Sequence, residues 1–430
     1  MSENKKKHIC YIALSDNILS KSNIKLIKNS SKYGKVVIGL MSDKAISEYK
    51  TAPLLNFNQR KLIAENLKNV YKVVEQTSRD YTENLIKLKP KYVVHKKNFW
   101  HKGLQKRTRE NVIKIIKKWS GKLLEFTTTE EKEDKFFEVN PALRRNKLIR
   151  LIKSKKIVRF LEAHNSLSAL IIEKLKLNVK NISEEFDGIW CSSLADSATR
   201  AKPDNQSVDL NTRINSLNDI LETTSKPIMF DADNGGTDEQ LPYTIKNLER
   251  MGVSAIVMED KIGVKKNSLF SDQAGAKQDS VKNFCNKLKL ASLSRITNDL
   301  LIVARIESFI LNKGLADALK RAEAYSKSGA DLILIHSKAK TPHEIFKFAQ
   351  KFKKSKYYKP LVCVPSTYSN THEDDLIKHG FKVVIYANQL LRSVYPAMLI
   401  TAKSILKNKK SKNIENKISS IKEIINLIEK

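Results

Sequence analysis

The sequence predicts two α/β domains, a small parallel sheet followed by a larger (β/α)₈ barrel. Short apolar runs alternate with amphipathic patterns along residues 1–126, as in layered α/β folds. A polar, charged segment without periodicity, TTTEEKEDKFFEV, covers residues 127–139 and is expected to be a linker. Residues 140–430 then contain eight further apolar runs, each followed by a helical pattern. Eight such units in about 250 residues are typical of a (β/α)₈ barrel.

In the N-terminal domain, the clearest helical pattern covers residues 103–120, where Val112, Ile115, Ile116 and Trp119 share one face. The alternation of strands and helices predicts a Rossmann-like sheet with helices on both faces. The predicted strands of this domain are residues 8–14, 35–42, 70–76, 92–96 and 122–126.

The second domain opens with a helical pattern in which Pro141 suits the first turn. Its strands are apolar almost throughout, as parallel strands covered on both faces must be. From Pro396 onward the chain is helical and rich in lysine, and we expect it to pack on the barrel or on a neighbouring subunit. The predicted barrel strands are residues 157–163, 188–193, 227–233, 255–260, 300–306, 332–336, 361–366 and 383–388.

The chain is strongly basic, with 79 Lys and Arg against 46 Asp and Glu and a formal net charge of +33. Such a charge suits nucleic-acid binding. However, the lysines are spread over nearly every segment, and no helix-turn-helix signature, RNP motif or arginine-rich arm is present. We therefore do not expect a nucleic-acid partner. A small anionic substrate would suit a basic enzyme equally well.

The cysteine content indicates a reducing compartment. Four cysteines are scattered without a CxxC pair, which predicts neither a disulfide framework nor a zinc site. No apolar run reaches the roughly 18–20 residues that span a bilayer. We expect a cytoplasmic protein without a membrane partner.

Polar residues follow the predicted barrel strands, where such barrels carry their chemistry. Asp231 and Asp233 follow the third strand on the same face, and Glu259 follows the fourth. Any one of these carboxylates could simply cap the next helix. Together, all-oxygen ligands without neighbouring His or Cys indicate Mg²⁺ or Mn²⁺. Arg305 and His336, at the ends of neighbouring strands, favour a doubly anionic substrate such as a carboxylate with a phosphoryl group.

The loop after the fourth strand carries Lys261, Lys265 and Lys266. One interpretation is an ordinary solvated loop. A long polar loop at the carboxyl end of a barrel strand is also typical of a lid that excludes water from a reactive intermediate.

Several segments together resemble the phosphoenolpyruvate mutase family of the isocitrate lyase superfamily, over about residues 140–430. The lid pattern E-D-K-x-x-x-K-x-N-S is the specific part, and it lacks the cysteine that the lyases of the superfamily carry in this loop. The resemblance implies the interconversion of phosphoenolpyruvate and phosphonopyruvate. The matching segments are residues 162–171, 186–197, 230–236, 252–270, 304–308, 318–331 and 386–398.

The resemblance also implies roles for single residues. Asp231 is the expected direct Mg²⁺ ligand. Its expected partners through water are Asp204, Asp233 and Glu259. The residues expected to hold the pyruvate carboxylate and enolate oxygen are Trp190, Ser192, Ser193 and Leu194. Those expected to contact the phosphoryl group are Asn267, Arg305 and His336, and those that complete the lid are Lys265 and Ser268.

Two other functions remain open. One is phosphonopyruvate hydrolysis on the same scaffold. We expect hydrolases to differ at the position of Asn267, so this residue favours the mutase. The other, from a different class, is a basic regulator that binds a nucleotide or nucleic acid.

The N-terminal domain is similar to cytidylyltransferases over residues 36–50, 58–76 and 87–113. The H-x-G-H loop of that family should fall on residues 20–23, but Ser20 and Asn23 stand where its histidines would be. We therefore expect a non-catalytic domain. Because relatives in the superfamily exchange helices between subunits, the resemblance further implies a homodimer or homotetramer.

Overall fold

A computed structural model shows the α/β architecture expected from the sequence. Of the predicted linker, residues 128–139 lie outside the part of the chain that the structure describes, so that prediction remains untested. The described residues are 8–15, 19–48, 53, 55–97, 103–127, 140–179, 182–263, 265–269 and 273–429.

The first part of the chain forms a parallel sheet of five strands in the order β3-β2-β1-β4-β5. All five strands predicted from the sequence are confirmed, and the sheet is Rossmann-like. The strands are β1 (Ile9–Leu14), β2 (Lys35–Met41), β3 (Val70–Gln76), β4 (Tyr92–Lys96) and β5 (Lys122–Phe126). The helices are α1 (Lys21–Ser30), α2 (Asp43–Ser47), α3 (Phe57–Glu65), α4 (Thr82–Leu88) and α5 (Gly103–Ile116).

Both faces of this sheet are buried. Alternate residues of β2 belong to different apolar clusters, with Val36 and Ile38 on one face and Val37 on the other. Val112 and Ile116 of α5 lie in the same cluster as Val37. The alternation follows from the period of two along a strand, and it explains why the strand is apolar throughout.

In the second part, eight parallel strands close into the predicted barrel. The last barrel strand pairs with the first, Val383 opposite Val158. The barrel strands are β6 (Val158–Glu162), β9 (Gly188–Cys191), β10 (Ile228–Asp231), β11 (Ala255–Glu259), β14 (Leu301–Ile306), β15 (Leu332–Ile335), β16 (Leu361–Cys363) and β17 (Phe381–Tyr386). Four short strands are not part of the barrel: β7 (Leu177–Val179), β8 (Ile182–Glu184), β12 (Lys261–Gly263) and β13 (Ala276–Gln278). Two antiparallel pairs, β7–β8 and β12–β13, lie outside the barrel.

Helices follow the barrel strands and cover the outside of the barrel. They are α6 (Pro141–Ser154), α7 (Ser166–Lys174), α8 (Ser193–Thr199), α9 (Leu210–Thr223), α10 (Leu241–Met251), α11 (Val281–Ser294), α12 (Gly314–Lys327), α13 (His343–Phe352), α14 (Glu373–Lys378), α15 (Gln389–Asn408) and α16 (Ile421–Glu429). The predicted start of α6 is confirmed, because Asn140 caps the helix and Pro141 occupies its first turn.

The barrel interior is packed with side chains. Phe160, Met229 and Val303 meet inside it, and Leu148 and Leu151 of α6 belong to the same buried cluster. Helix α6 therefore closes one end of the barrel. The carboxyl ends of the strands, where the polar residues lie, remain available for a site.

Helix α6 also contacts the N-terminal sheet domain, since it packs against α2. Arg150 Nε lies 3.6 Å from Asp43 Oδ2, and the Oγ atoms of Ser47 and Ser154 are 3.2 Å apart. The N-terminal domain thus docks on the helix that closes the barrel.

Helices α15 and α16 carry many exposed apolar side chains. No residue of α15 is buried. We call the following set the apolar face of α15 and α16: Tyr395, Met398, Leu399, Ile400, Ile405, Leu406, Ile421, Ile424, Ile425 and Ile428. Among the described residues, no helix is both long enough and apolar enough to cross a membrane.

Candidate active site

One cavity of about 620 Å³, including its open side, lies at the carboxyl ends of the barrel strands. All thirteen site residues named from the sequence line it. They are Trp190, Ser192, Ser193, Leu194, Asp204, Asp231, Asp233, Glu259, Lys265, Asn267, Ser268, Arg305 and His336. The structure thus brings the whole set together, while the role of each residue remains a prediction.

The turn after β9 forms one wall of the cavity. Trp190 is buried, and its indole Nε1 has no hydrogen-bond partner within the described part of the protein. Ser193 donates from its backbone N at 3.4 Å and from Oγ at 3.1 Å to Asp231 Oδ2. This wall therefore contains an unsatisfied buried donor and orients the carboxylate of Asp231 beside it.

The turn after β10 places two carboxylates side by side. Asp233 has a left-handed backbone, with φ of 53°, and its N–H donates to Asp231 Oδ1 at 3.2 Å. Arg213 of α9 is buried beneath them and donates to Asp233 Oδ2 at 3.2 Å. Its guanidinium also lies 4.8 Å from the centre of the Phe230 ring. Arg213 thus supplies a buried positive charge that holds Asp233 in place.

The loop between β12 and β13, which we call the lid, reaches across the cavity. Lys265 Nζ donates to Asp204 Oδ1 at 2.6 Å, to Ser193 Oγ at 2.9 Å and to the Asp233 carboxylate. Asn267 Nδ2 donates to Asp204 Oδ2 at 2.9 Å. Because both lid residues bind carboxylates of other loops, these contacts hold the described part of the lid over the strand ends.

The opposite wall carries the cationic groups. Arg305 Nε donates to Glu307 Oε1 at 2.6 Å, and His336 Nδ1 lies 2.8 Å from the same oxygen. Ser268 of the lid donates to Glu307 Oε2 at 2.6 Å and accepts from Lys261 Nζ at 2.7 Å. The Glu307 carboxylate therefore orients both Arg305 and His336. Ser268 of the lid binds the same carboxylate.

The electrostatics of the site differ from residue to residue. Burial raises the pKa of Glu259 to about 7, although Arg305 opposes this rise. Burial also disfavours ionisation of Asp231, yet Arg305 and Lys265 hold its pKa below the ordinary value. Burial lowers the pKa of His336, and Arg305 acts in the same direction. An added cation near Asp231 and Glu259 would favour the ionised form of both.

The donor set fits a magnesium-type ion that keeps most of its water. Among the described residues, no three Asp, Glu, His or Cys side chains come close enough to enclose a metal directly. Asp231 is buried and forms no ion pair within 4 Å in the described part of the chain; its hydrogen bonds there come from Ser193 and the Asp233 backbone. Because only neutral groups donate hydrogen bonds to this buried carboxylate, its negative charge is available to a bound cation. Mg²⁺ is usually held by one or two carboxylates and several waters.

Two residues of the site were not predicted to act in it. Glu307 stands two residues after Arg305, so the two side chains share one face of an extended segment. That spacing of two residues was the signal in the sequence that pointed to Glu307. Arg213 lies within α9 without any motif around it, and only the fold brings it beneath Asp233. Ser366 and Asn388 also line the cavity, and the buried Asn388 Oδ1 has no partner among the described residues.

Comparison with known proteins finds relatives of this chain. The chain is 35% identical to the phosphoenolpyruvate phosphomutase of Tetrahymena pyriformis, over 64% of this chain and 88% of that protein. It is 34% identical to the phosphonopyruvate hydrolase of Variovorax sp. strain Pal2, over 64% of this chain and 91% of the relative.

Solved structures give the same result. The phosphoenolpyruvate phosphomutase of Streptomyces platensis subsp. rosaceus superposes with a TM-score of 0.60 and 31% identity, covering 65% of this chain and 93% of that one. A phosphonopyruvate hydrolase in complex with oxalate and Mg²⁺ superposes with a TM-score of 0.58 and 31% identity, covering 66% and 94%.

The barrel and its site define an enzyme of the phosphoenolpyruvate mutase/isocitrate lyase superfamily. Within it the chain belongs to the phosphoenolpyruvate phosphomutase family, whose model matches residues 148–406. That match covers the barrel and not the N-terminal domain. The similarity of the N-terminal domain to cytidylyltransferases therefore remains a prediction.

Proposed function

We propose that this protein is a phosphoenolpyruvate mutase, an isomerase that interconverts phosphoenolpyruvate and phosphonopyruvate and so forms the P–C bond of phosphonates. The observation that carries the proposal is the lid. It places Asn267 in the same cavity as Arg305 and His336, and Asn267 donates a hydrogen bond to Asp204. The lid contains no cysteine among its residues, so the nucleophile or acid of a C–C lyase has no counterpart there.

The reaction needs positioning more than a strong catalytic base. The P–C bond of phosphonopyruvate breaks, and its electron pair becomes that of the pyruvate enolate. The enolate oxygen then takes the phosphoryl group, and no proton is gained or lost overall. Arg305, His336 and Asn267 hold the phosphoryl group during this loose transfer. Trp190, Ser192, Ser193 and Leu194 would hold the pyruvate part.

Exclusion of water is the second requirement, since water would compete with the enolate for the phosphoryl group. The lid serves it through Lys265 and Ser268, which bind opposite walls of the cavity. Leu334 and Val364 form an apolar part of the lining, which suits the carbon that carries phosphorus.

We further propose that Asp231 binds Mg²⁺, or Mn²⁺ in its place, with help through water from Asp204, Asp233 and Glu259. The bound ion would stabilise negative charge on the enolate oxygen. The family relative that carries Mg²⁺ and oxalate supports this assignment.

Phosphonopyruvate hydrolysis is the second candidate function. A hydrolase relative is 34% identical to this chain and a mutase relative 35%, so overall similarity favours neither reaction. The argument for the mutase therefore depends on Asn267 and on how well the lid excludes water.

The function is tested by ³¹P NMR of the purified protein with phosphonopyruvate and Mg²⁺. We expect the signal of phosphoenolpyruvate to appear, and we expect Asp231→Ala to abolish its formation. Inorganic phosphate together with pyruvate would instead establish the hydrolase. No reaction in a folded sample loaded with metal would refute both.

Replacing Asn267 with Ala should lower mutase turnover about 10²-fold, the loss expected for one donor that acts on the transition state. The share of inorganic phosphate among the products should rise, because water gains access to the phosphoryl group. Both quantities are read from ³¹P NMR time courses. Asn211→Ala, an exposed change on α9, is the matched control. Unchanged turnover and products for Asn267→Ala would contradict its role.

Metal binding can be measured apart from turnover, by electron paramagnetic resonance titration with Mn²⁺. Asp231→Asn keeps the shape of the side chain and removes its charge, so the affinity for Mn²⁺ should fall at least about tenfold. Asp219→Asn, an exposed change on α9, should leave the affinity as it was. Equal affinity of the Asp231 variant and the unaltered protein would remove Asp231 from the metal site.

We also propose that a second copy of this chain covers the apolar face of α15 and α16. Two helices that expose many large apolar side chains are typical of association sites. Light scattering after size exclusion should give two or four times the chain mass of 49.0 kDa. The double change Met398→Glu and Leu406→Glu should shift the protein to monomer, whereas Leu293→Glu, at an 84% exposed position of α11, should not. A monomeric unaltered protein would contradict the proposal.

A further inference from the structure

Glu307 is the most connected residue of the site, and the proposed reaction assigns it no role. It is fully buried at the carboxyl end of β14. Its Oε1 faces Arg305 Nε at 2.6 Å and His336 Nδ1 at 2.8 Å. Its Oε2 accepts from Ser268 Oγ at 2.6 Å and lies 3.5 Å from Lys261 Nζ.

Glu307 can only accept hydrogen bonds at neutral pH. Burial opposes its ionisation, but Arg305 and His336 hold its pKa well below the ordinary value. An ionised carboxylate has no proton to donate. The 2.8 Å contact with His336 is therefore a hydrogen bond only if Nδ1 of the imidazole carries hydrogen. In that case Arg305 Nη2, which lies 3.0 Å from the same Nδ1, cannot donate to the imidazole. Ser268 Oγ, 3.0 Å from Nη2, is its acceptor instead.

We propose that Glu307 is a positioning residue that keeps a proton on Nδ1 of His336, so that an anionic group bound at Nε2 must bring a second proton onto the imidazole from solution. This inference rests on the proposed function in one respect, the place of the phosphoryl group beside His336.

The chemistry of the ring leads to this coupling. With hydrogen on Nδ1, the neutral imidazole presents only a lone pair at Nε2. Oxygens of a phosphoryl or phosphonate dianion also present lone pairs, so the two repel until Nε2 is protonated. The imidazolium then donates to Glu307 on one side and to the anion on the other, and one proton has moved from the buffer to His336.

The charged groups around the ring set its state before the anion arrives. Arg305 and Lys261 disfavour a charged imidazole, and Glu307 favours it. Burial adds to the effect of the two cations, and together they lower the pKa of His336. Without a ligand, these influences favour the neutral form of the ring. The negative charge of the anion shifts this balance toward the imidazolium.

The first test is the tautomer of His336 in the unliganded protein, read from ¹⁵N NMR of histidine-labelled protein and assigned with His336→Gln. We expect hydrogen on Nδ1 and none on Nε2. Hydrogen on Nε2 would overturn the proposal. This measurement uses the unaltered chain, so it does not depend on whether a Glu307 variant folds.

The second test is proton uptake on binding of phosphonoacetate, which has a carboxylate and a phosphonate but no ketone and cannot react. Calorimetry in buffers of different ionisation enthalpy, with Mg²⁺ present, gives the number of protons taken up. Because the phosphonate of the free ligand still carries a proton at pH 7.5, protons are counted relative to the fully ionised ligand. We expect about one such proton per site for the unaltered protein at this pH, which lies above the ordinary pKa of histidine. Uptake near zero would overturn the proposal.

Glu307→Gln distinguishes the effect of the carboxylate charge from the effect of side-chain shape. The amide can donate to Nδ1, so it no longer requires hydrogen on that atom. Proton uptake should fall to less than about half of the unaltered value. Asp331→Asn is the matched control, since Asp331 directly precedes β15 at the end opposite His336 and pairs with Arg295. Its proton uptake should not change, and equal uptake in the Glu307 variant would contradict the role of Glu307.

Failure of the proposed function would give a different result from failure of this inference. If phosphonoacetate does not bind, the phosphoryl site beside His336 is wrong and the coupling to an anion falls with it. The tautomer of the unliganded protein still decides whether Glu307 fixes the proton.

Discussion

Carboxylates that converge in a buried place are tolerated only when cations lie between them, and this constraint organises the site. Repulsion between like charges is strong where water is scarce. Here most of the carboxylates have a counter-charge within 4 Å, supplied by several elements. The pairs are Asp204 and Asp233 with Lys265 of the lid, Asp233 with Arg213 of α9, and Glu259 and Glu307 with Arg305 of β14. Asp231 has no such ion pair among the described residues, which is why the proposed metal ion is assigned to it.

The lid takes part in this charge compensation. Lys265 is the cation for Asp204 and Asp233, and Ser268 donates a hydrogen bond to Glu307. Withdrawal of these groups would leave buried acceptors unmatched, which is costly. The two lid residues bind opposite walls of the cavity, so the described part of the lid joins the Asp204 and Asp233 side to the Glu307 side.

The eight barrel strands and the polar residues at their ends, such as Asp231 and Arg305, were predictable because both depend on local patterns. Leu194 and Asp204 were named only from the resemblance to the family. Apolar runs mark the strands, and chemistry gathers where they end. Contacts made across the fold left no such pattern. Arg213 reaches Asp233 from a helix twenty residues earlier. Asp260 is a case in which the local pattern misleads. It follows Glu259 at the same strand end, but its side chain lies outside the cavity, where Arg321 and Tyr325 bind it. Burial raises its pKa to about 6.

Charge alone cannot decide between mutase and hydrolase. Both candidate reactions break the same P–C bond and leave the same enolate, so the roles proposed for Arg305 and for the carboxylates serve either of them. The reactions differ only in the atom that next takes the phosphoryl group. On the proposed roles, the neutral amide of Asn267, which donates to Asp204 at 2.9 Å, would hold the phosphoryl group near the enolate. The proposed choice of reaction therefore depends on the fit of the lid, while the charges that the rest of the site arranges suit both outcomes.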